Sequence, residues 1–183
     1  MQQYLERLIS SIKKLPEDAL KNCIQVIDNV SENSNNIWIA GNGGSAATAS
    51  HLATDLSRCF NKNGKPIKSF SFSDNSGLIT AISNDFSFDE IFSKQIIHLG
   101  SPRDLLITIS ASGNSLNIIR GIEVAKSKKI ISMSLTGFDG GFAQKISDYS
   151  IHTPTEIGDY GVAEDSHSII CHYISSVFRS YTK

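Results

Sequence analysis

The chain of 183 residues is poor in cysteine and proline, and each shortage excludes something. Its three cysteines, Cys23, Cys59 and Cys171, are odd in number, far apart and without a Cys-x-x-Cys pair. That excludes a disulfide framework and a cysteine zinc site, and predicts buried free thiols of a cytoplasmic protein. The four prolines fall in no Pro/Ser-rich run, so no linker divides the chain. Charge of one sign is also missing: 17 basic and 18 acidic residues leave a net charge of -1, which offers no basic groove to a nucleic acid. No apolar run approaches the roughly 18–20 residues that span a bilayer. The start, Met1 to Arg7, is polar and periodic, unlike a secretory leader. Against these absences, 40% of the residues are hydrophobic, enough for one ordinary core without staples.

The apolar pattern gives the architecture. Leu5, Leu8, Ile9 and Ile12 mark one face of a helix. Pro16 opens a second, with Glu17 and Asp18 in its first turn and a stripe of Leu20, Cys23, Ile24, Ile27 and Val30. Short apolar runs at 37–40, 67–72, 105–109, 130–135 and 149–152 predict strands. Helices are expected over 46–58, 116–126 and, as the closing element, 161–179. Strands separated by helices predict βαβ units and a central parallel sheet, and their lack of polar alternation predicts cover on both faces. The fold class is therefore α/β, doubly wound, in three layers, with an N-terminal helical pair over 1–35. The whole span 1–183 reads as one domain.

Two loops share one layout, in which a strand leads through Gly and Ser into a helix. The first is Gly41-Asn42-Gly43-Gly44-Ser45 and the second Ser110-Ala111-Ser112-Gly113-Asn114-Ser115. In an open α/β sheet such loops stand at the carboxyl ends of the strands, where ligands bind. Helix N-termini there offer free N–H groups, glycine lets the backbone approach, and serine hydroxyls donate. Ser45, Ser110, Ser112 and Ser115 are thus candidates to hold a phosphate. Each loop by itself also reads as a capped turn. The first loop is neither a Gly-x-Gly-x-x-Gly nor a Walker loop, so no nucleotide cofactor is expected.

A second constellation lies on helices. His51 and Asp55 are four residues apart and share a face. Glu164 and His172, on the closing helix, are two turns apart and roughly share a side. Two histidines and two carboxylates can hold a zinc-like divalent ion, and the same spacings also suit a surface hydrogen bond and a packed histidine.

Together, residues 40–47, His51 to Leu56, Ser110 to Ser115 and Leu135 to Gly141 resemble the phosphoheptose isomerases of the sugar isomerase (SIS) domain superfamily. The resemblance covers nearly the whole chain. It implies a homotetramer with shared active sites, its N-terminal helices packing on partner subunits. It also implies cytoplasmic ketose–aldose isomerisation of sedoheptulose 7-phosphate, feeding lipopolysaccharide or capsule heptose synthesis. It puts the phosphate on Ser45, Ser110, Ser112 and Ser115. Asn42, with Gly43 and Gly44 of the same loop, and the pair Asn84 and Asp85 would line the substrate site. Family members with zinc bear His, Glu, Gln and His where this chain has His51, Asp55, Glu164 and His172. The residues matching Asp55 and His172 are the family's proposed acid–base pair.

The chain departs from that pattern at Asp55, at Glu164 and at Ala111, where the family usually has Thr. The expected chemistry is removal of the proton beside the carbonyl to give an enediol, with Asp55 or Glu164 as base and His172 as acid. A non-catalytic relative of the replication-initiator-associating protein and an isomerase of altered specificity are the competing readings. His167 is a candidate to support the metal ligands, Trp38 reads as core, and His98 and His152 as structural.

Overall fold

The computed structural model describes residues 1–182, so the last position of the 1–183 span lies outside it. Five strands form one parallel sheet: β1 (Asn36–Gly41), β2 (Lys68–Ser71), β3 (Leu105–Ser110), β4 (Ile131–Thr136) and β5 (Tyr149–His152). Their order is β2-β1-β3-β4-β5. The chain therefore winds one way from β1 to β2 and the other way from β3 onward. The carboxyl ends of β1 and β3, where the order reverses, form the crevice in which such folds bind ligands.

The sheet is covered on both faces. On one side Ile37, Ile39, Leu105, Ile107 and Ile109 pack with α2 (Glu17–Glu32), α3 (Gly44–Leu56) and α8 (Tyr160–Tyr181). On the other, Ala40, Leu106 and Phe72 pack with α4 (Ser76–Asp85), α5 (Ile91–Leu99), α6 (Leu116–Ser127) and α7 (Gly141–Ile146). Every residue of β3 is buried, the physical reason its sequence is mostly apolar rather than alternating. All three cysteines are buried and free. No described helix is long and apolar enough to cross a membrane.

At the amino end of the sheet, buried Asp104 accepts hydrogen bonds from Asn36 N (2.9 Å), Trp38 Nε1 (2.9 Å) and Ser101 N (3.0 Å). It ties β1 to β3 and fixes the face that Trp38 presents, stacked on Phe72.

α1 (Gln2–Lys13) docks on the start of α8 through polar contacts: Tyr4 donates to Asp165 at 2.6 Å and Arg7 pairs with Asp159 at 2.8 Å. Its apolar stripe is only partly covered, with Leu5 and Ile9 exposed.

α3 begins at Gly44, two residues earlier than the sequence pattern places it, because Ala46 N already bonds to the carbonyls of Asn42 and Gly43. Ser45 therefore sits in the first helical turn rather than in the loop. Gly43, before it, has φ of 54°, a left-handed conformation that favours glycine.

Candidate active site

α3 and α8 pack side by side and run in the same direction, so their facing residues form a seam. A Cβ on Gly44 would collide with the Glu164 carboxylate. One turn on, Thr48 Oγ1 and Ser168 Oγ are 3.5 Å apart. Next, the His51 and His172 rings meet edge to face, centroids 4.9 Å apart. Last, Ser175 Oγ donates to Asp55 Oδ2 at 3.0 Å. The seam starts in the crevice between β1 and β3 and ends at Asp55.

At its upper end lies a cavity of about 130 Å³ lined by Asn42, Ser45, Ser110, Ala111, Ser112, Ser115, Tyr160 and Glu164. The two Gly/Ser loops thus face one another across the crevice. Ser110 Oγ accepts from Gly113 N (3.1 Å) and Ser112 Oγ from Asn114 N (3.2 Å). A hydroxyl that accepts from the backbone keeps its own proton to donate, which suits an anion. Gly113, at φ of 62°, leaves no room for a Cβ against the Gly140 carbonyl, so this loop leans directly on the loop after β4.

Asn42 and Asn117 exchange both amide hydrogen bonds, at 2.9 and 3.0 Å. Asn117 is buried and lies in the first turn of α6. The pair links the loop after β1 to the helix after the second loop. Asn42 meets a ligand only with its remaining N–H and lone pair. The sequence reading had no residue in the role of Asn117.

The lower end is a cluster of charge. Ligand atoms of His51, Asp55 and His172 lie within 4.8 Å of one another. Asp55 is 5% exposed, yet its carboxylate holds Arg58 (3.1 Å) and Arg179 (2.5 Å) besides Ser175. Burial opposes its ionisation, but the Ser175 hydrogen bond and the two guanidiniums outweigh that and hold its pKa below the usual carboxylate range. Two imidazoles and one carboxylate are a donor set that suits a divalent ion with a position left open. Glu164 is not part of this group. It belongs to the upper cavity, about 12 Å along α8 from His172 by helical rise.

Other candidates fall elsewhere. Asn84 and Asp85 are exposed at the end of α4, bonded to each other at 3.0 Å, and line neither end of the seam. His167 is fully buried, neither ring nitrogen has a hydrogen-bond partner among the described residues, and burial pushes its pKa down to about 4. A larger groove of about 670 Å³ between α1 and the segment entering α8 contains none of the predicted site residues.

A family model for the SIS domain matches residues 2–137, which includes both loops. The phosphoheptose isomerase of Helicobacter pylori (strain P12) is 35% identical over 169 residues, covering 92% of this chain and 86% of that protein. This chain belongs to the phosphoheptose isomerase family. The enzyme of Shewanella pealeana is 38% identical over 156 residues, covering 84% of this chain and 79% of its own. Among solved structures, the phosphoheptose isomerase of Neisseria gonorrhoeae superimposes with a TM-score of 0.86 at 27% identity, over 98% of this chain and 94% of that one. That of Francisella tularensis gives 0.85 at 26%, over 97% and 93%. The relatives extend over α8, beyond the family model's last residue, so the seam lies within the shared fold.

Proposed function

We propose that this chain, a sugar-phosphate isomerase by family, interconverts sedoheptulose 7-phosphate and a manno-heptose 7-phosphate along the α3–α8 seam. The observation that carries the reading is that seam: a Gly/Ser-lined cavity where α3 meets the loop after β3 opens at its upper end, and a His–Asp–His group stands at its lower end. Ser45 and His51 are separated by about 9 Å of helical rise, a distance on the scale of an extended sugar.

The phosphate rests on the hydroxyls of Ser45, Ser110, Ser112 and Ser115 and on the N-terminus of α3. Gly43 and Gly44 let the sugar approach the backbone. Asn42 is held at the edge of the cradle by Asn117. The carbonyl end then points down the seam to His172, which exchanges a proton with the sugar oxygens. Asp55 is the carboxylate that shares a place with His172, and it becomes a base only when Arg179 releases its Oδ2. Glu164, at the cradle end, is the second carboxylate facing the sugar chain. His51, Asp55 and His172 would hold a divalent ion, zinc by family resemblance, whose chemistry is to polarise the carbonyl and stabilise the enediolate charge.

The partly exposed stripe of α1 supports a homo-oligomer, a tetramer by family resemblance, in which the N-terminal helices of one copy cover another. Asn84 and Asp85 would reach the substrate in that assembly. The assigned setting is the cytoplasm, in heptose synthesis for lipopolysaccharide or capsule.

Metal analysis of the purified protein, paired with an isomerisation assay on sedoheptulose 7-phosphate, tests this reading. Bound divalent metal and turnover are expected. Metal-free protein without turnover would sink it in favour of a non-catalytic binding protein. Metal with turnover of a different sugar phosphate would replace the substrate.

A further inference from the structure

The carboxylate at the lower end of the seam is already fully engaged. Arg58 takes Oδ1 of Asp55, while Arg179 and Ser175 share Oδ2. His51 Nε2 stands 3.8 Å from that same Oδ2. An ion held by His51, Asp55 and His172 needs an oxygen of this carboxylate, and the oxygen nearest His51 is the one Arg179 occupies. The two partners differ in freedom. The Asp55 side chain is 5% exposed and fixed by Ser175, whereas that of Arg179 is 52% exposed, so the guanidinium is the part that can leave. Arg58, on the other oxygen, can stay.

We propose that Arg179 and a divalent metal ion compete for Oδ2 of Asp55, so that the chain supplies its own cation to this place when metal is absent. The proposal rests on the metal reading above. Arg179 then sets metal affinity without being a ligand, and metal entry exchanges one cation for another on Asp55. The physical reason is that both cations satisfy the same buried negative charge. A charge-assisted bond to an exposed guanidinium is modest and must be broken before the ion binds.

The test is equilibrium dialysis of Zn²⁺ alone against the wild-type protein, Arg179→Met and Arg179→Gln, with melting curves of each metal-free protein. Competition predicts Zn²⁺ binding about tenfold tighter in both variants, equivalent to about 1.4 kcal/mol. It also predicts a lower melting temperature for each metal-free variant and a larger rise on adding Zn²⁺. Affinity that is unchanged or weaker in the variants, with Zn²⁺ still bound by the wild type, overturns the competition and leaves the metal reading standing. No Zn²⁺ bound by any of the three proteins overturns both.

Discussion

The two ends of the α3–α8 seam are built from different materials. The upper end is made of backbone N–H groups, serine hydroxyls and an amide pair, with Glu164 as its one charged side chain, and is arranged largely by loops that leave parallel strands. The lower end is charged, made of two imidazoles, a carboxylate and the Arg179 guanidinium on helix faces that α3 and α8 bring together, with Arg58 just past the end of α3. Hydroxyls and backbone N–H groups can receive an anion without first giving up a charged partner. A charged cluster can exchange protons or hold a metal, and it must be balanced when empty, which the Arg58 and Arg179 contacts to Asp55 accomplish. On the proposed function, binding and chemistry are thereby separable along one seam.

Breaking the lower end gives the largest effect. His172→Gln keeps the shape of the seam and removes the proposed acid, and steady-state assays should show turnover reduced by about a thousandfold. Breaking the upper end works on affinity instead. The double change Ser110→Ala with Ser112→Ala removes two of the proposed donors to the phosphate, so KM should rise about a hundredfold with kcat less affected. A third change sharpens the contrast by leaving both ends intact. The folded pKa of His167, about 4, lies below its ordinary 6.5, so between these values the unfolded chain binds a proton that the folded chain refuses. Its stabilising effect is fully present above pH 6.5 and is lost as the pH falls, by up to about 3 kcal/mol near pH 4. Denaturant melts of His167→Gln should show a flatter pH profile over that window. The smallest effect belongs to the link between the loops. Asn117→Leu leaves the Asn42 amide without its partner, and KM should rise about tenfold with little change in melting temperature.

What the sequence disclosed follows the same division. The strands and the cradle were legible because a sheet covered on both faces leaves plain apolar runs, and because a loop that binds with its backbone is spelled in consecutive Gly and Ser residues. His51 with Asp55 was legible as a pair on one helical turn. Ser175 and Arg179 were not, since their roles arise only when α3 meets α8, some 120 positions away along the chain, and Arg58, only three residues from Asp55, carried no motif to mark it. One trace was available: residues 164, 168, 172, 175 and 179 recur at helical spacing on one face of α8. Glu164 shares that face with His172, but the helical rise separates them, and spacing alone cannot tell a common side from a common place. Asn117 was hidden for a different reason, being an unremarkable early-helix residue whose partner lies in another loop. Helices α4, α5 and α7 carried weak patterns because their apolar residues are divided between core and surface, as exposed Leu78, Ile97 and Phe142 show.

The division of labour along the seam is tested most directly by calorimetric titration of sedoheptulose 7-phosphate into His172→Gln. The account predicts a Kd within about threefold of the wild-type value although turnover is gone. A Kd weakened as far as in the Ser110 and Ser112 double variant would contradict it, because binding and chemistry would then depend on the same end.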